Sequence, residues 1–588
     1  MAPDTVVRRR ELLAGATGAL AATSGCIGEL RNLAGRQRTD QLSLRISTTP
    51  AGDDPYAIRV ANHVADNLAD AGIETTVDAM SSEVLLREIL VNHDFDIYVT
   101  SYPSQGTPDE LRSMLYSAYG EESGWQNPFG ISDLGLDELL DEQRTVDGEA
   151  RAETVAEIQR RLVRDQPFTA VAFPDRIGAV RTDRFDGWSA GGPAGPADYL
   201  RLTRIGESPS LRAALRGKRF TRNRNPIAAE YRDQGALVGL LYEPLFRPVE
   251  GSETPIPWLA RDIEFDGDDP TAATVRLRRT PWHDGEPVTA GDVAFSYEFL
   301  KDTSLGEFDT PVPTPWRRGR VSLVEDVSVR SDRRLRVEFT TENRALAYRA
   351  LNVHVLPEHV WRERSEAVNL AGVDLVGQTT EALVTANEEP IGSGPLRFEA
   401  ADPGESLSLV RFDEHFLHGG DTDGIPPRIE GGAAFDRIEF TTTPSAEAAV
   451  RLLTEDESDG VADGLQASAV PSIVRGEDVS LTVGESDAFY HVGYNCRQSP
   501  LADPRFRRAI AGHLDREFVV EELLGGYGRP SELPLKGRWA PAELEWDGEA
   551  SVPFLGDAGE IDVERAREAF RDAGYQYDGD ELVTRGGT

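Results

Sequence analysis

The sequence is poor in lysine, cysteine and methionine, and after its first thirty residues it has no long apolar run. Lysine occurs only at Lys218, Lys301 and Lys536, so arginine supplies nearly all of the 62 basic residues that stand against 101 Asp and Glu. The formal charge of −39 excludes a nucleic-acid binder, because binding to phosphate needs clustered cations. Two cysteines exclude a disulfide framework. Because no later segment reaches about 18 uninterrupted apolar residues, a membrane-spanning helix is excluded there.

The acidic residues are spread along the chain and do not form a tail. Apolar residues make up 39% of the sequence, which suffices for packed cores and differs from the composition of a disordered protein. An acidic surface is tolerable where concentrated salt shortens the Debye length to about 3 Å and screens self-repulsion. We interpret the chain as halophilic. A merely acidic protein is the alternative, but it leaves the scarcity of lysine unexplained.

The first residues have the features of a targeting segment. Arg8–Arg10 precede the weakly apolar stretch Leu12–Gly25, which is shorter than the roughly 20 residues that cross a bilayer. The run Arg9-Arg10-Glu11-Leu12-Leu13 resembles a twin-arginine export signal. We expect a cleaved signal here, and an ordinary N-terminal helix is the alternative.

The segment that follows resembles a lipobox. Thr23-Ser24-Gly25-Cys26 has the small residues that let a peptidase reach the bond before the cysteine, although Thr23 stands where Leu is usual. Residues 1–26 are therefore expected to be a lipoprotein signal, with lipid on Cys26 and a flexible linker over 27–40. Cys496 is expected to be a small buried hydrophobe.

From Leu42 onward, short strands alternate with amphipathic helices. Leu42–Ser47 alternates as a strand does, and Ala57–Ala71 repeats apolar residues at helical spacing until Gly72. Strands and helices in this order predict parallel strands joined by helical crossovers, so the expected fold class is α/β, in more than one lobe. Other predicted elements are helices at 82–92, 149–164, 504–524 and 562–573, strands at 95–99, 168–173, 396–399 and 406–412, and a helix opened by a Thr289–Asp292 capping box.

Several stretches occur together in a recognisable order. They are Leu241-Tyr242-Glu243-Pro244-Leu245, Trp258-Leu259-Ala260, Trp282-His283-Asp284-Gly285-Glu286-Pro287-Val288-Thr289-Ala290-Gly291-Asp292-Val293, Gly392-Ser393-Gly394-Pro395-Leu396, Tyr494-Asn495, Asp503-Pro504-Arg505-Phe506-Arg507-Arg508-Ala509-Ile510, and Ala573-Gly574-Tyr575. In this order they resemble extracellular solute-binding protein family 5, the oligopeptide, dipeptide and nickel receptors of ABC importers. The long Trp282–Val293 stretch is the specific one.

The order of the segments along the chain differs from that of the family in one respect. In the family, the helix that ends in Ala-Gly-Tyr is followed by further residues that complete the second lobe, whereas here that helix stands near Thr588. Residues 41–205 resemble the missing part. We therefore expect a circular permutation, which is physically permitted when the native ends lie close together. Two fused partial domains, or a mispredicted gene start, are the alternatives.

The resemblance implies a periplasmic-binding-protein fold with two lobes, a hinge and an extra subdomain. The expected division is 41–188 plus 490–588 for the C-terminal-type lobe, 189–250 plus 385–489 for the N-terminal-type lobe, and 251–384 for the extra subdomain. A ligand would bind between the lobes of a monomer without catalysis, and the closed form would engage an ABC permease and its ATPase.

Five cleft residues follow from the matching motifs. Tyr242 and Glu243 would face the ligand from the first lobe, with Glu243 opposite a cation or an N–H group. Asp413 would lie in the same lobe, while Tyr494 and Asn495 would lie at the hinge crossing. For each of them, a packed or capping structural residue is the alternative.

The segment Ser101–Pro108 departs from the family pattern. Peptide receptors place a Trp and an Asp, which pairs with the ligand's α-ammonium, where this chain has Ser101 and Ser104. A hydroxyl cannot supply that charge-assisted bond, so a free-amine peptide would lose an anchor. A sugar or a modified or uncharged peptide becomes as plausible, with Tyr102 stacking and Gln105 and Ser104 forming hydrogen bonds.

Enzyme and metal interpretations find little in the sequence. Asp413-Glu414-His415, His418, Asp421 and Asp423 have some features of a metal cluster, but they coincide with a structural stretch of the family. His283 beside its turn is expected to be structural. The sequence thus predicts no cofactor, no metal and no enzyme, but a lipid-anchored receptor on the extracellular face of a haloarchaeal cell that captures a peptide-like polar solute. A sugar or nickel-chelate receptor, or a sensor for a membrane transducer, remain alternatives.

Overall fold

The computed structural model describes residues 39–120, 126–228, 237–249, 252–267, 270–314, 316–368, 379–476 and 478–585. The expected export signal with Arg9 and Arg10, and the lipid site at Cys26, lie outside these residues. Among the helices described, none is long and apolar enough to cross a membrane.

A six-stranded sheet is built from both ends of the chain. Ser43–Thr48 pairs in parallel with Glu74–Ala79 and Ile97–Tyr102, as the helical crossovers require. Phe489–Tyr494 then pairs antiparallel with Ile97–Tyr102, placing Val492 opposite Val99. Ser43–Thr48 and Phe489–Tyr494 therefore lie in one sheet, with Ile97–Tyr102 between them. The strand order is Gly528–Pro530, Phe168–Pro174, Phe489–Tyr494, Ile97–Tyr102, Ser43–Thr48, Glu74–Ala79.

A seven-stranded sheet is built from the middle of the chain. Its order is Leu396–Asp402, Ser406–Arg411, Arg437–Thr442, Ser210–Leu215, Gly460–Val461, Arg176–Arg181, Val479–Gly484. The strand Arg176–Arg181 belongs to this sheet, so the chain leaves the first sheet at Asp175, earlier than the boundary expected at 188. It returns between Gly484 and Phe489.

The two sheets define two lobes. We call residues 39–174 with 489–585 the end lobe, and residues 176–484 the middle lobe. Their buried apolar clusters separate along the same line, because those around the first sheet draw on residues 42–173 and 489–582 and those around the second on residues 177–473. The observed fold is a mixed α/β fold, as predicted.

The middle lobe carries a second, four-stranded antiparallel sheet. Its order is Ala260–Phe265, Ala272–Leu277, Arg334–Phe339, Val324–Ser331. The helix Ala290–Lys301 packs beside it and begins with the predicted capping box, in which Thr289 Oγ1 accepts from the Asp292 N–H and Asp292 accepts from the Thr289 N–H. This unit shares one apolar cluster with its neighbours in the middle lobe.

The helices follow the predicted periodicity with one correction. Asp54 caps Pro55–Asp70 by accepting from the Tyr56 and Ala57 N–H groups. The helix predicted over 504–524 is instead broken after Ala511, because Asp515 caps a second helical turn. The α-helices of seven or more residues are Pro55–Asp70, Asp109–Leu115, Leu134–Glu142, Gly148–Asp165, Ala290–Lys301, Arg344–Ala350, Ala446–Thr454, Pro504–Ala511 and Val563–Asp572.

The remaining elements are short. Short α-helices are Ser82–Arg87, Pro196–Leu200, Arg219–Arg222, Arg318–Val321, Glu358–Trp361, Glu381–Val384, Val470–Ile473 and Arg516–Phe518, and π turns are Glu88–Asn92 and Val519–Leu523. The 3₁₀ turns are Ser117–Tyr119, Val238–Leu240, Arg362–Ser365, Ala467–Ala469, Gly537–Trp539 and Ala542–Leu544. Small sheets join Thr39–Gln41, Glu581–Arg585 and Gln576–Asp578; Phe246–Val249 and Ser252–Pro257; Phe185–Asp186 and Thr203–Arg204; and Gly556–Asp557 and Glu560–Ile561.

Candidate functional site

The lobes meet along a seam where the end lobe faces the middle lobe. Arg144 donates to the Gly319 carbonyl across it at 3.0 Å, and Thr341 Oγ1 donates back to the Arg144 carbonyl at 2.7 Å. A cavity of about 40 Å³ lies in this seam, room for a few water molecules. It is lined by Tyr102, Pro103, Gln105, Glu110, Ser113, Gln126, Trp316, Arg318, Gly319, Arg320 and Arg349.

Two aromatic rings from different lobes form one wall of this cavity. Tyr102 ends the strand Ile97–Tyr102, and its ring meets the ring of Trp316 edge to face, with centroids 6.2 Å apart. Trp316 has a backbone φ of 61°, which is uncommon for a bulky residue and costs conformational energy. Strain of this kind concentrates at functional sites.

Glu110 is the buried carboxylate of the cavity. It accepts hydrogen bonds from Ser104 Oγ at 2.8 Å and from the Gln105 N–H at 3.1 Å, and Arg349 donates to it across the seam at 3.3 Å. Arg349 also donates to Thr107 Oγ1. The loop that contains Ser104 is therefore folded back onto Glu110 and tied to the middle lobe.

Asp109, beside Glu110, forms a buried ion pair with Arg144. The side chain of Asp109 is 1% exposed, and Arg144 donates to its two oxygens at 2.5 and 3.0 Å. Burial alone would raise the pKa of Asp109, but the charge and hydrogen bonds of Arg144, followed by the charge of Arg349, bring that pKa below its ordinary value. This pair fixes the position from which Arg144 reaches the middle lobe.

Arg320 approaches the same cavity from the middle lobe. It donates to the Asn352 carbonyl at 2.9 Å and to Gln105 Oε1 at 2.6 Å. Burial, with the positive charges of Arg349 and Arg317 nearby, lowers the pKa of Arg320. Gln105, one of the predicted ligand residues, is thus engaged with the opposite lobe.

A wider groove of about 460 Å³ opens elsewhere along the interface of the lobes. Tyr56 of the end lobe and Gln466–Pro471 of the middle lobe line it, and the Ala467 N–H donates to Tyr56 Oη at 2.9 Å. Behind Tyr56, Tyr490 Oη donates to Asp54 at 2.9 Å, and burial raises the pKa of Asp54. The groove has the volume of a small-molecule site, whereas the cavity has the unusual side chains.

Two predicted ligand residues lie in the core of the middle lobe. Glu243 is 0% exposed; it accepts from Trp258 Nε1, and the His415 ring lies 3.0 Å from the same oxygen. Tyr242 is equally buried and accepts from Asn387 Nδ2 at 2.8 Å. Neither lines the cavity or the groove. In this structure both residues are therefore packed structural residues, which was the alternative to a ligand contact.

The sequence stretches that carried the resemblance explain this burial. Gly394 donates its N–H to the Leu241 carbonyl at 2.8 Å, and a Cβ on Gly394 would meet the Leu240 carbonyl oxygen at 2.1 Å. His283 donates its N–H to the Gly392 carbonyl at 2.8 Å, and burial lowers the pKa of its ring to about 4. The stretches around Leu241, His283 and Gly392–Gly394 thus pack against one another. His283 lies in structural surroundings, as expected.

The other predicted residues divide between core, surface and seam. Tyr494 is buried, 2.7 Å from Thr169 Oγ1, and Asn495 Nδ2 donates to the Phe95 carbonyl at 2.8 Å. Both lie at the end of Phe489–Tyr494 that is remote from the crossing at 485–488, contrary to the hinge placement expected. Asp413 is exposed and paired with Arg411 at 2.8 Å. A ligand contact for these residues, as for Tyr102, Ser104 and Gln105 at the seam, stays a prediction.

Sequence reasoning missed the residues that the middle lobe brings to the cavity. Trp316, Arg320 and Arg349 carry no family motif, although the arginines at 317, 318 and 320 form a cationic cluster that is unusual in so acidic a chain. Gln126 gave no signal, since a lone glutamine has no pattern. Among the described residues, no group of three or more His, Cys, Asp or Glu side chains could hold a metal ion.

Comparison with known proteins finds relatives that are named as peptide-binding or peptidoglycan-binding proteins. The oligopeptide-binding protein AppA of Bacillus subtilis is 23% identical over 338 residues, 56% of this chain and 53% of AppA. A probable peptide-binding protein, YejA, of Agrobacterium fabrum is 24% identical over 424 residues, 66% of this chain and 64% of YejA. The peptidoglycan-binding protein YepA of the same organism is 27% identical and spans 54% of this chain and 50% of YepA. The chain thus spans half to two thirds of the length of these relatives.

Similar solved structures include AppA from Bacillus subtilis with a nonapeptide, at 18% identity, a TM-score of 0.46, and coverage of 65% of this chain and 68% of that one. Another is a mannohexaose-bound oligopeptide ABC transporter binding protein of Thermotoga maritima, at 22% identity, a TM-score of 0.45 and 63% coverage of each. The profile of the bacterial extracellular solute-binding proteins, family 5, matches residues 254–586, more than half of the chain. This protein therefore belongs to the bacterial extracellular solute-binding proteins of family 5.

Proposed function

We propose that this chain is the solute-binding component of an ABC importer and that it holds its solute in the seam between end lobe and middle lobe. Family 5 consists of substrate-binding proteins of ABC transporters, which are not enzymes. The observation that carries the proposal is the meeting of the two lobes: within the described residues the chain crosses between them at Asp175 and at 485–488. Two adjacent crossings permit a hinge motion that opens the seam.

The contacts across the seam support a closed form that must open to admit a solute. A cavity of about 40 Å³ cannot enclose a peptide-sized molecule. Opening would release Arg349 from Glu110 and Arg320 from Gln105, and a solute would shift the population toward closure only by binding the closed form more tightly.

The class of solute is proposed to be peptide-like and polar. The missing carboxylate at Ser104 argues against an anchored α-ammonium, because Ser104 instead donates to Glu110. A sugar or a nickel chelate in the same seam is the second candidate solute. A role as ligand sensor for a membrane transducer would use the same binding step, with the transducer in place of the permease.

The chain order is proposed to be a circular permutation of the family's order. The end lobe takes strands from both ends of the chain, and the Leu42 N–H donates to the Leu582 carbonyl at 2.8 Å. The same contacts can form the same lobe whichever segment comes first in the chain, because chain order mainly affects the entropy of loop closure.

Export and anchoring are proposed from the sequence alone. Arg9 and Arg10 would direct export through the twin-arginine route, and lipid on Cys26 would hold a monomer on the outer face of a haloarchaeal membrane. Changing Arg9 and Arg10 to Lys should abolish export, and Cys26→Ala should release exported protein into the medium, as cell fractionation can measure.

Native mass spectrometry of the purified chain tests the central proposal. We expect an adduct of peptide or oligosaccharide mass that is lost on unfolding, and X-ray scattering should show a smaller radius of gyration when that solute is restored. Turnover of the solute, or a radius that does not respond to it, would contradict the proposal.

A further inference from the structure

Gln126 is a buried amide without a partner among the residues that the structure describes. The residue is 2% exposed, and within the described part of the chain neither its Nε2 nor its Oε1 has a hydrogen-bond partner. Each group left unpaired inside a protein costs free energy, and the great majority of buried polar side chains are paired. Gln126 lines the cavity in the seam, which is a space from which a partner could come.

The carboxylate of this cavity is already occupied. Both oxygens of Glu110 accept from the protein, through Ser104 Oγ and the Gln105 N–H on one and through Arg349 and the same N–H on the other. An incoming ammonium group would have to displace these donors. Glu110 therefore does not offer the anchor that Ser104 lacks.

Two guanidinium groups that reach the cavity, those of Arg320 and Arg349, are engaged as well. Arg320 donates to Gln105 Oε1 and to the Asn352 carbonyl, and Arg349 donates to Glu110 and Thr107. A solute carboxylate would compete with these acceptors. Glu110, Arg320 and Arg349 thus hold the lobes together. Gln126 is uncharged, and among the described residues neither the donor nor the acceptor of its amide is used.

The donor and the acceptor of the Gln126 amide determine which solute group can satisfy both. An amide presents a donor and an acceptor about 2.3 Å apart on one planar group, so the group that satisfies both offers an acceptor and a donor side by side. A carboxylate offers acceptors alone and an ammonium offers donors alone. A primary carboxamide, or a pair of neighbouring hydroxyls, offers both, and the flat face of the carboxamide suits the rings of Tyr102 and Trp316.

We propose that Gln126 is a specificity-determining residue that selects an uncharged solute group carrying a donor and an acceptor side by side. This rests on the proposed function, because it places the solute in the same seam. The cavity of about 40 Å³ has room only for that terminal group, and the lobes close around the rest of the solute along the seam.

The test uses three probes on the whole purified chain by isothermal titration: tetra-alanine with a C-terminal primary amide, the same peptide with a free carboxylate, and maltotetraose. The two peptides differ only at the group in question. We expect the amide to bind at least tenfold more tightly than the acid. A Gln126-dependent affinity for maltotetraose alone would also support the proposal and would identify a sugar as the source of the group.

Gln126→Leu and Gln126→Met are the variants, the second matching the length of glutamine in case the first does not fold. Both should bind the amide and the acid equally, and neither should lower the melting temperature, because they remove two unpaired polar atoms. A preference for the amide that persists in the variants, or equal or tighter binding of the acid by the original chain, would overturn this inference alone. Binding of none of the three probes would count against the proposed function itself.

Discussion

Thr39 and Arg585 lie directly opposite each other as paired residues of two antiparallel strands. The two ends of the described chain therefore meet on the end lobe. A loop of two to five residues is what joins such strands in a hairpin.

This proximity predicts that the chain can be reopened elsewhere. Joining Arg585 to Thr39 through a short Asn-Gly loop, and cutting between Glu207 and Ser208, should leave the circular dichroism spectrum unchanged and the melting temperature within a few degrees. The cut lies in an exposed connection, beside Ile205, which is 58% exposed. The matched control cuts within the buried interior strand Phe168–Pro174 and should not fold. A reopened chain that fails to fold as the control does would contradict the proposed permutation.

Glu243 should act on stability and not on solute affinity. Glu243→Ala removes the acceptor of Trp258 Nε1 and the partner of the His415 ring, which should cost about 1–3 kcal/mol for each buried group left unpaired. Urea unfolding measures the loss, and titration of the folded fraction measures affinity. Asp413→Ala at the exposed position should change stability by less than about 0.5 kcal/mol. Unchanged stability with weakened solute binding would restore Glu243 to the ligand site.

The Asp109–Arg144 pair should make stability depend on acidity. Because the pKa of Asp109 is lowered in the folded state, the stability it contributes is fully present above its ordinary pKa of 3.8 and is lost as pH falls through the lower folded-state value. Arg144→Met removes the main ion-pair partner of a buried carboxylate, so it should cost up to about 3–5 kcal/mol at neutral pH and move acid unfolding to higher pH.

The double variant Asp109→Leu with Arg144→Met is the control for that pair. Removing both charges should recover most of the lost stability, since an apolar pair of similar volume needs no compensation. Urea and acid titrations followed by near-ultraviolet circular dichroism measure both variants. A single variant as stable as the original chain would show that the pair does not hold the seam.

Trp316 should combine backbone strain with solute contact. At a φ of 61°, glycine is unstrained and alanine is not, so Trp316→Gly should be more stable than Trp316→Ala by about 1 kcal/mol, although glycine destabilises most positions. Both variants should bind solute more weakly because the ring against Tyr102 is gone. Thermal unfolding that ranks alanine above glycine would refute the strain.

The net charge of −39 should make folding depend on salt. Raising KCl from about 0.1 M to 2 M shortens the Debye length from about 10 Å to 3 Å or less and should raise the melting temperature by screening self-repulsion. Sucrose at equal osmolality is the control, because it leaves charges unscreened. An equal rise in both solutions would remove electrostatics as the cause.

Prediction from sequence succeeded where the physics is local. The Thr289–Asp292 box began its helix because the contacts lie within one turn, and the helix at 504–524 was predicted too long because the cap at Asp515 competes with an uninterrupted apolar periodicity. Tyr242 and Glu243 were predicted to contact the ligand because a sequence motif does not show whether its polar residues are buried. Their partners, Asn387 and His415, are more than 140 residues away in the chain.

The sequence by itself determined the acidity, the α/β alternation and the family stretches, since composition and short-range periodicity set these properties. Only the tertiary structure decided which side chains border the seam. Gln126 and Trp316 come from different lobes and from non-helical segments with no shared pattern, and their meeting depends on how two sheets and their crossings pack. Burial leaves the amide of Gln126 without a partner among the described residues, and this burial depends on the packing and not on any single segment.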